Sequence, residues 1–203
     1  MNLKETYNRI AKDWHQDHKE DDWWIKGTDK FISLLRPDSL VLDVGCGAGI
    51  KSKYLINKGL KVVGIDFSEK MIEIAEQEVP LGDFLILDLD EADKLDSSFD
   101  GIFMHAVLLH ISKREAEEKI EKIAKKLKTG GYLYIGVKEK RPQDAEEEIV
   151  VENDYGYNYE RFFSYFTLNE IESYLKNAGF EIVFSEVVPL KSGNRIQVIG
   201  KKI

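Results

Sequence analysis

A glycine-rich turn directly after a buried strand constrains the fold of this chain more than any other feature of its sequence. Residues 40–44 form a short, mostly apolar run typical of a strand that is buried on both faces. Gly45, Gly47 and Gly49 follow, and residues 50–57 have a helical pattern. A glycine turn lets a ligand approach the backbone without meeting a Cβ atom, and the helix N-terminus directs amide groups towards it. This segment therefore predicts a ligand site at the carboxyl end of the first strand.

Strand-like and helical segments alternate along most of the chain. Predicted helices cover 3–14, 23–35, 50–57, 68–75, 112–129 and 167–179, and predicted strands cover 40–44, 61–65, 84–87, 101–104 and 132–137. Segments 181–188 and 196–199 predict a closing hairpin, and residues 141–166 are interpreted as acidic and aromatic loops. Because parallel neighbours need crossover connections, the pattern predicts an α/β fold. We expect a doubly wound, mostly parallel sheet of about seven strands, with the antiparallel hairpin at one edge.

Two aspartates indicate what kind of ligand the turn binds. Asp66 ends the second predicted strand, where an acid accepts hydrogen bonds from the two hydroxyls of a ribose. Asp43 precedes the glycines; its charge repels a pyrophosphate and suits a ligand that carries an ammonium group. The third glycine of the dinucleotide pattern G-x-G-x-x-G would fall on Ile50. These residues predict a nucleoside with a cationic tail, and the alternative is a structural turn beside a solvated aspartate.

Three further motifs resemble those of the class I S-adenosylmethionine-dependent methyltransferases. They are Val63-Gly64-Ile65-Asp66-Phe67-Ser68-Glu69-Lys70-Met71, Phe99-Asp100 and Leu127-Lys128-Thr129-Gly130-Gly131-Tyr132. The resemblance implies a Rossmann-like methyltransferase fold with sheet order three-two-one-four-five-seven-six, S-adenosyl-L-methionine as the donor and S-adenosyl-L-homocysteine as the product. It implies a donor-binding set of Asp43, Gly45, Cys46, Gly47, Gly49, Asp66, Phe67, Met71, Asp88, Leu89 and His105.

Within that set, the resemblance assigns different parts of the donor to different residues. Asp43 and the glycines would line its methionine part, Asp66 the ribose, and Phe67 and Met71 the adenine. Asp88 would lie near the adenine amino group, although the usual "GDA" is Leu87-Asp88-Leu89 here, and a solvated acid is the alternative. We interpret Cys46 as a small packing residue rather than a nucleophile.

Methyl transfer from a sulfonium needs positioning and exclusion of water more than acid–base machinery. The candidate bases are His105 and His110, which follow the fourth predicted strand, with packing histidines as the alternative. Glu139 is a candidate contact for a substrate amine or a solvated loop acid. His15 and His18 have a spacing that can bind metal, but no further His or Cys lies nearby to complete a site, so we predict no metal.

Two segments are candidate covers for the cleft. Tyr7 and Trp14 lie on one face of the first helix, where they either form a lid or pack on the core. The aromatic stretch 155–166 contains Tyr159 and Arg161. We expect Arg161 to pair either with an acidic acceptor or with the run of acids at 146–148.

The composition of the chain limits the partners and the cellular setting that we expect for it. The chain has 203 residues and a formal net charge of −8, which disfavours nucleic acid, and its one cysteine suits a reduced, cytoplasmic setting. No apolar signal core or membrane-length apolar stretch is present in the sequence. We expect one methyltransferase domain over 1–203, with a helical lid (1–36), a donor-binding core (38–140) and a C-terminal part (141–203).

The expected function is methyl transfer to a small-molecule acceptor by a monomer or homodimer. The alternatives are a catalytically silent donor-binding or sensor protein, an NAD-dependent oxidoreductase and a tRNA methyltransferase.

Overall fold

The computed structural model describes residues 2–203, which fold around a twisted sheet with helices on both faces. The helices are α1 (Leu3–His18), α2 (Ile25–Ser33), α3 (Ile50–Asn57), α4 (Glu69–Glu78), α5 (Lys113–Ala124) and α6 (Leu168–Asn177). The strands are β1 (Leu40–Val44), β2 (Lys61–Asp66), β3 (Asp83–Ile86), β4 (Phe99–His105), β5 (Leu127–Lys138), β6 (Glu147–Glu152), β7 (Tyr159–Ser164), β8 (Phe180–Val188) and β9 (Arg195–Lys202). Short 3₁₀ turns cover Leu89–Lys94 and Leu108–His110.

Seven strands form the main sheet in the order β3-β2-β1-β4-β5-β9-β8. Strands β1 to β5 run parallel, and β9 is antiparallel to both of its neighbours. The mostly parallel sheet, the closing hairpin and the strand order implied by the resemblance are therefore confirmed. The β8–β9 hairpin lies at one edge of the sheet, with β9 beside β5 and β8 outermost.

Helix starts follow their predicted caps more closely than helix ends do. The Ser68 hydroxyl accepts the Met71 amide at the start of α4, and Thr167 forms a capping box with Glu170 at the start of α6. The predicted end of α5 at Gly130 is wrong, because α5 ends at Ala124 and β5 begins at Leu127. A register shift in the β4–β5 pairing takes up the extra residues of that segment.

A second correction concerns residues 141–166, which were predicted to be loops. Strands β6 and β7 pair there as an antiparallel hairpin, with Val150 opposite Arg161. The β-branched residues at the centre of β6 and the aromatic residues of β7 favour strands, and this local preference prevails over the acidic flanks. Among residues 2–203, no helix combines the length and apolar character that crossing a bilayer requires.

The buried core beneath the site contains a stack of aromatic rings. The rings of Phe103 on β4 and Tyr134 on β5 lie parallel with centroids 4.3 Å apart, and Phe31 of α2 packs against both. On the opposite face of the sheet, alternate residues such as Ile102 and Ile135 pack with α5 and α6. Both faces are therefore filled, and the carboxyl ends of β1, β2, β4 and β5 are held in fixed positions.

Removal of the central ring of this stack should destabilise the fold. Phe103 is fully buried, so we expect Phe103→Ala to lower the free energy of unfolding by about 3–5 kcal/mol. Leu81→Ala is the control, because Leu81 is 83% exposed and its truncation should cost less than about 0.5 kcal/mol. Denaturant unfolding measures both, and equal losses in the two variants would contradict this description of the core.

Candidate functional site

A cavity of about 1200 Å³ opens at the carboxyl ends of the parallel strands. Typical small-molecule pockets occupy roughly 300–1,000 Å³, so this cavity has room for two reactants. Most of the sequence-predicted residues lie on its walls: Tyr7, Trp14, Asp43, Gly45, Cys46, Gly47, Asp66, Phe67, Met71, Asp88, Leu89, His105, His110 and Arg161. Gly49, Glu139 and Tyr159 are absent from the cavity wall.

The glycine turn forms one wall, and each of its three glycines has a left-handed backbone. Their φ angles are +63° at Gly45, +53° at Gly47 and +79° at Gly49. A Cβ atom on Gly45 would lie 2.7 Å from Val107 Cγ2, so the turn requires glycine there for space as well as for conformation. A Cβ on Gly49 would lie 3.0 Å from Val79 Cγ2, which shows that Gly49 serves the packing of α3 on α4.

Asp66 links this turn to the end of β2. Its carboxylate accepts the amide of Gly47 at 3.0 Å and the amide of Ser68 at 2.8 Å. Burial raises the pKa of Asp66 to about 6, and the nearby charge of Asp88 contributes to the increase. Asp88 itself is exposed and accepts the Asp90 amide at the start of a 3₁₀ turn.

Asp43 lies deeper, at the end of β1. It is 2% exposed, its carboxylate accepts the hydroxyl of Ser52 at 2.6 Å, and burial raises its pKa to about 7. Lys51 was missed by sequence reasoning, although it stands in the first turn of the helix that follows the glycines. Burial lowers the pKa of Lys51 to about 8, and its Nζ lies 5.2 Å from the ring centre of Trp24.

Cys46 packs as expected rather than presenting a reactive thiol. It joins a buried cluster beneath the turn that comprises Ile72, Ala75, Val79 and Phe84. Burial, together with the charges of Asp43 and Asp66, raises the pKa of the thiol well above its usual value. The protonated thiol is a poor nucleophile.

Tyr7 and His110 form a direct hydrogen bond inside the cavity. The Nδ1 of His110 lies 2.8 Å from the carbonyl oxygen of Phe162, so Nδ1 donates and Nε2 accepts the Tyr7 hydroxyl at 2.6 Å. Burial, together with the charges of Arg161 and Lys138, lowers the pKa of His110 to about 3. His110 is therefore neutral at physiological pH, with a fixed tautomer.

His105 stands at the end of β4 among aromatic rings. Its ring centroid lies 4.9 Å from that of Trp23, and burial lowers its pKa well below the usual value, with Lys51 and Arg195 contributing. The next residue, Ala106, has a φ of +60°, an uncommon conformation for a residue with a side chain. The chain therefore turns sharply at this point towards His110.

Within the protein, Arg161 pairs with an acid that the sequence did not predict. Its guanidinium makes a bidentate pair with Glu152 at 2.5 and 2.6 Å, and Nη1 donates to the Tyr7 hydroxyl at 3.4 Å. Burial opposes the charge of Arg161, but Glu152 outweighs that effect and raises the guanidinium pKa. The expected bridge to the acids at 146–148 is wrong, because the β6–β7 register places Glu152 on the same side of the hairpin.

Two predicted contacts lie away from the cavity. Glu139 accepts the side-chain amide of Asn194 at 2.7 Å beside the β5–β9 ladder. Tyr159 is buried under the hairpin, and its hydroxyl donates to Asp154 at 3.0 Å. Sequence reasoning placed both near the cleft because it treated the segments that contain them as loops.

Comparison with known proteins agrees with this geometry. The family model described as "Methyltransferase domain" matches residues 41–131, which include the glycine turn, Asp66 and β4. A phosphoethanolamine N-methyltransferase of maize is 36% identical over 169 residues, which cover 78% of this chain and 32% of the relative. The chain thus spans about a third of the length of the plant relatives it matches. A ubiquinone biosynthesis O-methyltransferase of Hydrogenovibrio crunogenus is 29% identical over 64% of this chain and 57% of the relative.

Solved structures show the same architecture. An S-adenosylmethionine-dependent methyltransferase of Methanosarcina mazei is 25% identical with a TM-score of 0.73, over 84% of this chain and 95% of that chain. A 1,6-didemethyltoxoflavin-N1-methyltransferase of Burkholderia thailandensis, 20% identical, has the same fold with a TM-score of 0.77, over 98% of this chain and 87% of that chain. Residues 41–131 therefore belong to the methyltransferase domain family, and the strand order and the placement of the motif residues at one cavity are those of the class I S-adenosylmethionine-dependent methyltransferases.

Proposed function

We propose that this protein transfers a methyl group from S-adenosyl-L-methionine to a small-molecule acceptor. The observation that carries the proposal is the placement of two carboxylates, the buried Asp43 and the partly buried Asp66, beside the glycine turn on one wall of a large cavity. Within residues 2–203, no Lys, Arg or His nitrogen lies within 4.0 Å of either carboxylate, and the charge of Lys51 acts on Asp43 only from beyond that distance. Both carboxylates accept hydrogen bonds but neither has a cation in contact, so this wall suits a ligand that brings its own positive charge.

The residues present fit such a donor. Gly47 has no side chain, and a Cβ atom there would lie 3.8 Å from Trp14, in the space between the turn and α1. Both oxygens of Asp66 already accept backbone amides, and carboxylate oxygens have further lone pairs for ribose hydroxyls. Met71 and Phe67 provide apolar surface beside Asp66, where the adenine is expected.

When bound, the donor supplies a methyl group on a positively charged sulfur. The chain's own contribution is then to hold the two reactants in line, which is worth on the order of 7–11 kcal/mol in well-oriented reactions. Helix α1 closes the cavity from one side. Asn8 accepts the Ser68 hydroxyl at the donor wall, and Thr6 donates to the carbonyl of Glu160 on β7. These contacts support the proposed lid role for the N-terminal segment.

The Tyr7–His110 pair is our candidate for removing a proton from the acceptor. As the Tyr7 oxygen takes the acceptor's proton, its own proton would pass to Nε2 of neutral His110, whose pKa of about 3 makes the resulting imidazolium a transient species that must release the proton again. Its Nδ1 remains fixed on Phe162, which keeps Nε2 directed at Tyr7. The buried Nε2 of His105 has no polar partner within residues 2–203.

The relatives support a small acceptor without fixing the methylated atom. Their printed names include both an N-methyltransferase for phosphoethanolamine and an O-methyltransferase of ubiquinone biosynthesis. A donor-binding protein without turnover is the second candidate, because the carboxylate wall accounts for binding and not for catalysis. An NAD-dependent oxidoreductase is disfavoured by the charge of Asp43, which would repel a pyrophosphate.

Calorimetry with S-adenosyl-L-homocysteine and with NAD tests the donor. We expect a micromolar dissociation constant for S-adenosyl-L-homocysteine and no binding of NAD.

Asp66→Ala should abolish binding of S-adenosyl-L-homocysteine. It removes the carboxylate that would accept the ribose hydroxyls, and it leaves the Gly47 and Ser68 amides without their acceptor. Asp66→Asn retains an acceptor oxygen and should keep more of the affinity. Asp83→Ala, an exposed aspartate of the neighbouring strand, is the matched control and should bind normally. Tight NAD binding would overturn the proposal.

Donor affinity should fall as the pH falls below neutrality. The pKa of Asp43 is about 7 and that of Asp66 about 6, so both become protonated as the pH decreases. A cationic donor binds the ionised forms, and we expect affinity for S-adenosyl-L-methionine about tenfold weaker at pH 6 than at pH 7.5. Asp43→Asn is neutral throughout and should lose most of this dependence. Parallel pH profiles for the two proteins would exclude Asp43 as a donor contact.

Turnover is tested by release of S-adenosyl-L-homocysteine across a panel of metabolites. For an acceptor that loses a proton, Tyr7→Phe and His110→Gln should lower kcat by about 10²–10⁴-fold while donor binding persists. Tyr165→Phe is the control, because the Tyr165 hydroxyl donates to Glu148 outside the cavity. Silence of the wild-type protein across the panel would favour the donor-binding protein without turnover.

A further inference from the structure

Two cations line the cavity on the side opposite the carboxylate wall. Lys138 at the end of β5 and Arg195 at the start of β9 are direct partners in the antiparallel ladder. Within residues 2–203, no carboxylate oxygen lies within 4.0 Å of either charged group. The Nζ of Lys138 lies over the Phe163 ring, 3.8 Å from the ring centroid.

Other cations near Lys138 in the sequence or in the cavity do form ion pairs. Lys140 pairs with Glu146, Arg141 pairs with Asp144 at 2.9 Å, and Arg161 pairs with Glu152. The protein has a net charge of −8, so acids are plentiful. A lack of available carboxylates therefore does not explain why Lys138 and Arg195 lack a partner.

The acids that face these two cations either bind other side chains or lie too far away to form an ion pair. Glu152 is occupied by Arg161, and Glu148 accepts the Tyr165 hydroxyl. Asp21 faces Arg195 across the cavity but makes no ion pair with it within 4.0 Å. The positive potential at this end of the cavity is thus only partly offset.

Holding two like charges together here is unfavourable. Burial, together with the charges of Arg195 and Arg161, lowers the pKa of Lys138 to about 8. Burial likewise lowers the pKa of Arg195. Like charges directly opposite each other in a β ladder destabilise it, and a dianion placed between them would remove the repulsion. Unfavourable charge clusters inside a cleft are typical of binding sites.

The guanidinium of Arg195 is also held in a fixed orientation. Its Nη1 donates to the carbonyl oxygens of Gly193 at 2.5 Å and Asn194 at 3.2 Å, and its plane lies near the Trp23 ring. A third, longer contact joins Nη2 to the Ser192 hydroxyl at 3.4 Å. A guanidinium has five N–H groups, so donors remain for an oxyanion. These neutral partners orient the side chain without neutralising its charge.

We infer that Lys138 and Arg195 form an anion subsite, and that the methyl acceptor carries an oxyanion, a phosphate monoester or a carboxylate, that binds between them. This inference rests on the proposed function, because it assigns the subsite to the acceptor. In the sheet, β1 and β5 are separated by β4, two strand spacings or ~10 Å, and Lys138 lies four residues, ~13 Å, beyond the level of Asp43, so the two positions are ~16 Å apart. The reacting groups then meet beneath His105 and the Tyr7–His110 pair, between the acidic and the basic wall.

The test titrates inorganic phosphate, and separately acetate, into the protein with and without saturating S-adenosyl-L-homocysteine, at constant ionic strength. We expect millimolar binding of one or both anions to the wild type. Lys138→Gln and Arg195→Gln should each weaken it by at least tenfold, while the affinity for S-adenosyl-L-homocysteine stays unchanged. The two anions separate a phosphate-bearing acceptor from a carboxylate-bearing one.

Lys140→Gln and Arg141→Gln are the matched controls. They remove the same charges two and three residues away from Lys138, at side chains that are paired outside the cavity. Anion binding that is equal in all four variants would overturn the subsite. A fall in affinity for S-adenosyl-L-homocysteine in Lys138→Gln would also overturn it, since the cations would then serve the donor's carboxylate. Failure of S-adenosyl-L-homocysteine to bind the wild type would reject the proposed donor, and the titration without it would still test the subsite.

Discussion

The carboxylate of Asp66 is the contact on which the rest of the site depends. It joins the amide of Gly47 in the turn after β1 to the amide of Ser68 at the start of α4. Two segments that come from neighbouring parallel strands are thereby fixed relative to each other. The left-handed glycines can adopt this turn only because no side chain is present, and Asp66 selects it from the many conformations open to glycine.

The cavity above that contact is electrostatically divided. Asp43 and Asp66 make the wall formed by β1 and β2 acidic, whereas Lys138 and Arg195 make the wall formed by β5 and β9 basic. Strand β4 lies between them and carries His105. Such a division suits a cationic donor and an anionic acceptor, since each reactant is attracted to its own wall and held near the other. This arrangement is unexpected from a net charge of −8, because charge balance over the whole surface says little about one cleft.

Much of the fold could be predicted because its signals are local. The caps Ser68 and Thr167 and the turn glycines act within a few residues of themselves, and they mark helix starts and strand ends correctly. The end of α5 and the β6–β7 hairpin were missed. At the first, a strand begins well before the Gly130-Gly131 pair that suggested a helix end. At the second, acidic flanking residues concealed strand-forming residues whose pairing depends on a partner strand.

The sequence alone determined the glycine turn, the acids that follow β1 and β2, and the alternation that makes the sheet parallel. Only the tertiary structure decided which side chains meet: Tyr7 with His110, Arg161 with Glu152, and Lys138 opposite Arg195, where residues 2–203 provide no carboxylate in ion-pair contact. Tyr7 and His110 are separated by 103 positions. A backbone turn follows from the conformational limits of a few adjacent residues. The partner of a distant charge follows from strand order, register and the packing of every element between them.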